Sequence, residues 1–303
     1  MASIVDVPGI KVGHFHLEDS RTGCTVILPD KRVIAGVDVR GSAPGSREIE
    51  LLKPVRLVEE IDAVLLTGGS AFGLDAAGGV QAFLEEQGRG YDVGAARVPI
   101  VPTAVIFDLA VGDASIRPNR DMGYQACERA TNAPVEEGRI GVGCGATVGK
   151  LLGMEYSSPG GVGSAAMTLE NGIIIGALSV INALGEVIDW QGDILAGIRN
   201  EKTSGFTPSL DVMVSASAAE FSSTNTTLAV VATNAKLTRE TATKVAQMAQ
   251  DGLALAVRPA HTLYDGDIVF VVSTGEKKCD VNTVGALSCQ LVAESIRRGV
   301  RRD

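Results

Sequence analysis

The sequence predicts an α/β protein in which helices are layered on mostly antiparallel sheets. Candidate strands and helices follow one another irregularly along the 303 residues, without the β-α-β alternation of a doubly wound parallel sheet. The two helices predicted near the C-terminus each carry an apolar stripe on one face, so each must bury that face. Apolar residues make up 45% of the chain, which is enough for a large core and excludes global disorder.

The first part of the chain contains short β-branched segments bounded by turn residues. Residues 24–28 and 32–39 are expected to pair as a hairpin. Residues 63–67 are expected to form a buried strand. A helix is then expected to run to residue 87, with Ser70 as its N-cap.

In the rest of the chain, apolar β-branched runs predict strands and amphipathic runs predict helices. The predicted strands are residues 173–181, 186–190, 210–215, 227–233 and 267–273. The predicted helices are residues 120–131, 238–257 and 282–298. Since no internal repeat or long linker divides the chain, residues 1–303 are expected to form one domain.

Charge and hydropathy argue against two classes of partner. The formal net charge is −9, and basic residues occur only in isolated pairs such as Arg297-Arg298, so nucleic acid is not an expected partner. The longest apolar run, residues 173–185, is too short to span a bilayer and contains Asn182, so no membrane association is expected.

The N-terminal segment and the cysteines indicate the compartment. The first residues lack the basic and apolar segments of a signal peptide. The five cysteines are odd in number and form no C-x-x-C pair, which is typical of reduced thiols. A cytoplasmic protein is therefore expected.

A glycine-rich segment at residues 141–150 invites a phosphate-binding interpretation. A P-loop, however, requires glycine and Ser/Thr where this chain has Cys144 and Leu151. A dinucleotide fingerprint lacks both its preceding long strand and its following acidic residue. We therefore expect a glycine-lined turn that places Lys150 in a cleft, and no cofactor.

The three histidines do not predict a metal site or a Ser-His-Asp triad. His14 and His16 would point the same way on a strand, but only His261 remains as a third imidazole. His261 stands near Asp265, yet the chain has no G-x-S-x-G motif, and a structural histidine in a turn is the simpler interpretation. No metal is expected.

The junction before Thr226 is the most informative segment. Small polar residues from 215 to 225, expected to be an exposed linker, lead directly into an apolar strand that begins with Thr226 and Thr227. A threonine hydroxyl can attack the carbonyl carbon just before it, and hydrolysis of the resulting ester frees an N-terminal threonine whose amine can act as base. The β-propensity of threonine explains the same pattern without chemistry.

Two blocks make a family resemblance specific. The sequence N-T-T-L-A-V-V-A-T-N at 225–234, followed by R-P-A-H-T-L-Y-D-G-D at 258–267, resembles the self-processing L-aminopeptidase D-Ala-esterase/amidase family. That family includes β-peptidyl aminopeptidases and nylon-oligomer hydrolases. Other similar blocks cover nearly the whole chain: residues 8–14, 67–77, 104–108, 143–150 and Asn182.

This resemblance implies an αββα four-layer sandwich like that of the N-terminal-nucleophile hydrolases. It implies cleavage between Asn225 and Thr226 into fragments 1–225 and 226–303 that remain one folded unit. It also implies association into homo-oligomers, with a tetramer expected.

The resemblance also implies roles for individual residues. Thr226 would be the nucleophile, Lys150 would lie near its oxygen and amine, and Asn182 would donate toward the developing oxyanion. Asp265 and Asp267 would form a carboxylate relay toward Thr226, where composition alone favours a simple Asp-Gly-Asp turn.

Two positions bear on the substrate. The aspartate pair resembles the nylon-oligomer branch, whereas β-peptidyl enzymes carry Ser and Glu there. Phe107, expected in the substrate-binding region, stands where characterised members can carry a tyrosine. A hydroxyl donor is therefore missing at that position.

The function expected from the sequence is a self-processing amide or peptide hydrolase that acts on a small peptide or amide. Release of N-terminal residues is the first expectation, and hydrolysis of β-peptides or ω-amino-acid oligomers is the second. One alternative is a self-cleaving acyltransferase of similar architecture. Another is an uncleaved small-molecule-binding assembly protein with the glycine-rich loop as its ligand site.

Overall fold

A computed structural model describes residues 1–215 and 225–301, so the linker predicted between 215 and 225 lies outside the described residues. The strands of the first half are β1 (Ile10–Leu17), β2 (Thr22–Pro29), β3 (Val33–Val39), β4 (Ser46–Arg47), β5 (Glu60–Ile61), β6 (Val64–Thr67), β7 (Tyr91–Asp92), β8 (Arg97–Val98), β9 (Thr103–Val105) and β10 (Thr147–Val148). Those of the second half are β11 (Ser158–Pro159), β12 (Gly161–Thr168), β13 (Ile174–Asn182), β14 (Glu186–Ile188), β15 (Ile194–Ala196), β16 (Ile198–Asn200), β17 (Gly205–Thr207), β18 (Thr226–Ala235), β19 (Val257–Arg258) and β20 (Ile268–Lys277). The α-helices are α1 (Ala76–Glu86), α2 (Arg120–Glu128), α3 (Ser209–Ser215), α4 (Arg239–Ala256) and α5 (Val281–Val300).

Two large sheets form the centre of the molecule. One has the strand order β1-β2-β6-β9-β4, and the other has the order β12-β13-β18-β20-β3-β5. Within these two sheets the neighbours are antiparallel, except that β6 pairs with β9 and β18 with β20 in parallel. The expectation of mostly antiparallel sheets is confirmed.

The apolar core is divided into three layers. Leu66 of β6 and Val230 of β18 belong to one buried cluster, which fills the space between the two sheets. Val231 of β18 packs with Val292 of α5 on the outer face of the six-stranded sheet. Val80 of α1 belongs to a third cluster on the outer face of the five-stranded sheet. The architecture is therefore the αββα sandwich that the family resemblance implied.

Strand β18 lies between β13 and β20, and all ten of its residues are buried. Its side chains alternate as the period of a strand requires. Leu228 and Val230 face the other sheet, whereas Ala229 and Val231 face the helices α4 and α5. The residue at the start of β18 is thereby held at one end of a fully buried strand.

Most predicted elements exist close to their expected limits. The strands predicted at 63–67, 173–181, 186–190, 227–233 and 267–273 correspond to β6, β13, β14, β18 and β20, and the helices predicted at 120–131, 238–257 and 282–298 correspond to α2, α4 and α5. The helix starts follow from side-chain caps. Asp280 accepts a hydrogen bond from the Thr283 backbone N–H at 3.0 Å, and Thr238 accepts one from Thr241 N–H at 3.3 Å.

The prediction of a hairpin from residues 24–28 and 32–39 is wrong. Strand β2 pairs with β1 and β6 in one sheet, whereas β3 pairs with β20 and β5 in the other. Every residue of β2 is buried, so this strand needs a neighbour on each side and a layer on each face. The short connection crosses between the sheets instead of folding back.

The strand predicted at residues 210–215 is also wrong, because this segment is helix α3. Alternating apolar residues suggested a strand, but Leu210 and Val214 are 67% and 80% exposed, and Val212 is buried. At the start of the helix, the Glu186 carboxylate accepts a hydrogen bond from the Ser209 N–H at 2.9 Å. A buried partner distant in sequence thus stabilises the helix start.

Ser70 is not the N-cap predicted for the helix that follows β6. A 3₁₀ turn over Ser70–Asp75 precedes α1, and the position before it is held by Gly69 with φ 78°. The Gly69 N–H donates to the Asp108 carboxylate at 2.6 Å. Because this carboxylate already accepts a hydrogen bond from the backbone at the start of the turn, no serine cap is needed there.

Among the described residues, no helix has the length and hydropathy of a membrane span.

Candidate active site

Thr226 begins strand β18, at the end of the six-stranded sheet. It lies directly opposite Asn182, the last residue of β13, in the antiparallel ladder. Asn225, the preceding residue, forms an isolated bridge with Asp265. These four residues are between 0% and 5% exposed. The structure therefore brings together, in a buried place, residues that are far apart in the sequence.

The peptide bond between Asn225 and Thr226 has an unusual setting. The Thr226 Oγ1 hydroxyl donates to the Asn225 carbonyl oxygen at 2.5 Å, and the Gly266 N–H donates to the same oxygen at 2.9 Å. A Cβ atom at Gly266 would lie only 2.8 Å from Thr226 Oγ1, so glycine allows this close approach. The hydroxyl lies beside the carbonyl that it would attack, and that carbonyl oxygen already has a donor.

Asp267 holds the backbone on the other side of Thr226. One carboxylate oxygen accepts a hydrogen bond from the Thr227 N–H at 2.7 Å. The other accepts one from the His261 N–H at 3.0 Å and lies 2.9 Å from His261 Nδ1. Burial opposes the charge on His261, but the bond to Asp267 and the charge of that carboxylate raise the pKa of His261 above its usual value.

Asp265 is only 2% exposed and accepts hydrogen bonds from the N–H and the hydroxyl of Thr262, at 2.8 and 2.6 Å. Burial and the nearby charge of Asp267 raise the pKa of Asp265 to about 6. In the described part of the chain, neither aspartate hydrogen-bonds to the Thr226 hydroxyl. Their contacts with the Thr226 region instead run through the backbone on either side of it.

Lys150 and Asn182 form the second part of the site. The Lys150 ammonium donates to the Asn182 backbone oxygen at 3.0 Å and to its side-chain Oδ1 at 2.7 Å. Oδ1 also accepts a bond from the Thr147 N–H at 3.1 Å, and Asn182 Nδ2 donates to the Phe107 carbonyl at 3.1 Å. These bonds fix the orientation of the Asn182 amide opposite Thr226.

The environment of Lys150 makes it a candidate base. Burial lowers the pKa of Lys150 to about 7, although the charges of Asp265 and Asp108 act in the opposite direction. At neutral pH a large fraction of this side chain is therefore the neutral amine, which can accept a proton.

A cavity of about 230 Å³ opens beside Asn225 and Thr226. Phe107, which is expected in the substrate-binding region, is one of its lining residues. Tyr264 lines the same cavity. The site thus combines a buried hydroxyl, a lysine of lowered pKa and adjacent space for a small acyl group.

Three further contributors were not predicted from the sequence: His261, Gly266 and Asp108. His261 was interpreted as a structural histidine in a turn, although it stands only six residues before Asp267. The Asp108 carboxylate accepts a hydrogen bond from the Thr22 hydroxyl at 2.7 Å, and burial raises its pKa. A contact across 86 residues leaves no local pattern in the sequence.

The segments that suggested other chemistry have structural roles. Gly141–Gly145 is a buried 3₁₀ turn that continues into β10. His14 bonds to the Thr25 hydroxyl at 2.9 Å, and burial together with His16 lowers the pKa of His14 to about 4. Within residues 1–215 and 225–301, no cluster of His, Cys, Asp and Glu is suited to a metal ion. The five cysteines, all in these ranges, are free thiols.

Comparisons with known proteins agree with the fold. The model of peptidase family S58 matches residues 2–300. An uncharacterized aminopeptidase of Mycobacterium leprae is 43% identical over 301 residues, which is 91% of this chain and 79% of that protein. A 6-aminohexanoate-oligomer endohydrolase of Kocuria sp. is 30% identical over 285 residues, covering 89% of this chain and 74% of that protein. The crystal structure of the L-aminopeptidase D-Ala-esterase/amidase of Ochrobactrum anthropi, described as a variant of the Ntn hydrolase fold, superposes with a TM-score of 0.73 at 19% identity over 98% of this chain and 85% of that chain.

Proposed function

The chain belongs to peptidase family S58, and from this premise we propose that it is a self-processing amide and peptide hydrolase with Thr226 as its N-terminal nucleophile. Its membership makes it a peptidase of the hydrolase class. Beyond this general activity, we propose that the nucleophile is a threonine freed by the chain's own cleavage. The geometry around the bond between Asn225 and Thr226 supports this more specific proposal.

One observation carries the proposal: the Thr226 hydroxyl lies against the Asn225 carbonyl, whose oxygen is bonded to the Gly266 N–H. Attack of Oγ1 on the carbonyl carbon forms the C–O bond of an ester and breaks the amide C–N bond. The hydroxyl proton moves to the departing nitrogen. Water then hydrolyses the ester, which leaves a carboxylate on Asn225 and a free amine on Thr226.

Turnover would repeat this chemistry on an external amide. The Thr226 hydroxyl attacks the substrate carbonyl, and a neutral amine, either that of Thr226 itself or that of Lys150, takes the hydroxyl proton. Asn182, held by Lys150 and Thr147, lies across the ladder from Thr226, from where it would donate toward the developing oxyanion. The amide C–N bond breaks as the acyl-enzyme ester forms, and the base passes its proton to the departing amine. Water then hydrolyses the ester, which releases the acyl group as a carboxylate and restores the Thr226 hydroxyl.

The cavity beside Thr226 suits a small acyl group, such as one α-amino-acid or ω-amino-acid unit. The names of the relatives point to two substrate types, since one is called an aminopeptidase and another a 6-aminohexanoate-oligomer endohydrolase. We propose release of N-terminal residues as the first activity and hydrolysis of ω-amino-acid oligomers as the second.

The mass of the purified protein tests the proposal directly. We expect two chains, residues 1–225 and 226–303, in place of a single chain of 31.4 kDa. Added hydroxylamine or glutamate then distinguishes hydrolysis from acyl transfer. An acyltransferase would give mainly the acylated amine, whereas a hydrolase gives mainly the free acid.

Replacing Asp267 by asparagine is expected to lower turnover at least ~100-fold, the scale of a positioned acid–base group. Both oxygens of Asp267 accept hydrogen bonds, and an amide can accept at only one of them. Since the charge of Asp267 raises the pKa of Asp265, the substitution should also move the acidic limb of the pH–rate profile to lower pH. The measurement is a pH–rate profile of protein already cleaved at Thr226, with Asp265→Asn in parallel.

Normal turnover in both processed aspartate variants, with an unchanged acidic limb, would contradict the carboxylate relay. Asp-Gly-Asp would then be only a structural turn. Cleaved protein is essential for the comparison, because slow maturation alone imitates lost catalysis.

His261 is expected to act as a positioning residue through Asp267. Its φ of 58° suits glycine and asparagine, so His261→Gly and His261→Asn both keep the backbone conformation. Only asparagine retains a side-chain donor for Asp267. We expect His261→Gly to lower turnover about 10-fold or more, because a hydrogen bond to a charged group contributes about 1.5–3 kcal/mol.

Steady-state kinetics and pH–rate profiles of the two processed histidine variants provide the measurement. His261→Asn should recover most of the activity that His261→Gly loses. Equal rates in the two variants would show that the side chain of His261 does not position Asp267.

A further inference from the structure

A second cavity, of about 300 Å³, lies near the candidate active site and is lined by positively charged side chains. Three arginines line it: Arg21, Arg139 and Arg199. None of its lining residues is acidic, although the chain carries a net charge of −9. This cavity therefore presents positive charge on a protein that is negative as a whole.

Arg21 and Arg139 lie against the glycine-rich segment that suggested phosphate binding. A Cβ atom at Gly145 would lie 2.0 Å from the Arg21 carbonyl oxygen, so glycine lets the loop of Arg21 pack directly on this turn. Arg139 spans the same turn, where Nε and Nη2 each lie 3.4 Å from the Cys144 carbonyl oxygen. Across the cavity, the Arg199 guanidinium donates to the Glu155 carbonyl.

Bonds to backbone carbonyls orient a guanidinium without neutralising its charge. Within the described ranges, neither Arg21 nor Arg199 has a carboxylate within 4.0 Å. Guanidinium groups bind carboxylates and phosphates through paired hydrogen bonds, which makes them suited to an anionic group of a ligand.

The arginine-lined cavity adjoins the candidate active site through Thr147. Thr147 lines the cavity, and its N–H donates to Asn182 Oδ1 at 3.1 Å. Asn182 is the cross-strand partner of Thr226, and such partners have Cα atoms about 5 Å apart. One chain segment also borders both spaces, because Phe107 lines the cavity at Thr226 and Val111 lines the arginine-lined cavity.

We propose that the arginine-lined cavity binds the free carboxylate at the end of the substrate's leaving portion. Counted through Asn182, Thr226 lies on the order of 10 Å from Thr147 at the edge of the arginine-lined cavity, a separation that two or three extended α-residues span. The enzyme thus selects short peptides or amino-acid oligomers that end in a carboxylate soon after the bond that is cut. This inference rests on the proposed function and specifies its substrate class.

The test compares each substrate with its own neutral form. Oligomers of L-alanine, β-alanine and 6-aminohexanoate, two to five units long, are prepared as C-terminal acids and as C-terminal amides. Where the leaving portion is long enough to span about 10 Å, wild-type processed protein should hydrolyse the acid with a kcat/KM about 10-fold higher than that of the amide. The preference should decrease as NaCl is added, because salt screens exposed charges.

The double substitution Arg21→Gln/Arg199→Gln should raise KM for the acid about 10-fold and leave kcat unchanged. Its kcat/KM for the amide should stay at the wild-type value, which also shows that the variant is folded. Arg97→Gln, at an exposed arginine on β8, is the matched control and should change neither substrate.

Equal hydrolysis of acid and amide by wild-type protein would overturn the carboxylate site while leaving the proposed hydrolase intact. A second contradicting result would be that inorganic phosphate inhibits hydrolysis of the acid and of the amide equally, and that the double variant loses this inhibition. That result would also overturn the carboxylate site and would indicate a regulatory anion site. If processed protein hydrolyses none of the oligomers, the proposed function itself fails.

Discussion

Replacing Thr226 by alanine is expected to leave the protein as one chain of 31.4 kDa without hydrolase activity. The only hydroxyl bonded to the Asn225 carbonyl among the described residues is that of Thr226, and alanine removes it. Without Oγ1 no ester forms and no free amine appears at residue 226. Removal of a nucleophile from a hydrolase lowers kcat on the order of 10⁶-fold.

Intact mass and amide hydrolysis give the two readouts. Thr226→Ser keeps a hydroxyl at the same place and should still cleave before residue 226. Thr227→Val, which removes the neighbouring hydroxyl at nearly constant volume, should also cleave there. If the wild-type chain remains at 31.4 kDa while it hydrolyses amides, the N-terminal-nucleophile mechanism is wrong.

Lys150→Met is expected to slow both self-cleavage and turnover by about 10²–10⁴-fold, the range for a general acid–base group. The lysine bonds to both oxygens of Asn182, opposite Thr226, and burial lowers its pKa to about 7. The neutral amine is the form that accepts a proton. The rate of self-cleavage should therefore rise with pH up to about 7 and level off above that value.

Lys150→Arg separates charge from basicity, because a guanidinium stays protonated throughout this pH range. We expect this variant to be impaired almost as much as Lys150→Met. Wild-type rates in Lys150→Arg would show that a fixed positive charge suffices. Self-cleavage is followed by mass spectrometry over time. Wild-type rates in Lys150→Met would show that Lys150 has only a structural role.

The parts of the fold that the sequence predicts are those with a local signal. Helices α4 and α5 show an apolar stripe and a polar cap, and β18 is a long run of apolar residues. The pairing of strands is different, because a strand buried on both faces does not indicate its neighbours. Strands β2 and β3 are close in sequence, yet they belong to different sheets.

The same distinction holds for the site. The sequence singles out Thr226 because a polar segment meets an apolar strand there, whereas the role of Asp265 and Asp267 comes from the family resemblance, since composition alone favours an Asp-Gly-Asp turn. Gly266 and Asp108 act through contacts with residues far away in the chain. Family resemblance supplied Lys150 and Asn182, whose meeting depends on the path of β13 and the turn before it.

The position of β18 and β20 affects how the protein folds and whether it can refold. These two strands are inserted between β13 and β3, both of which belong to residues 1–225. Eight cross-strand pairs join β13 to β18 alone. In the uncleaved chain, folding is a unimolecular process whose covalent tether keeps the inserted strands close to their gap. If the chain cleaves before Thr226 as proposed, the same structure becomes a complex of two chains, and refolding becomes a bimolecular encounter between partners with unpaired strand edges prone to aggregate. The mature protein would then depend on its slow unfolding rate, and one passage through denaturation would be difficult to reverse.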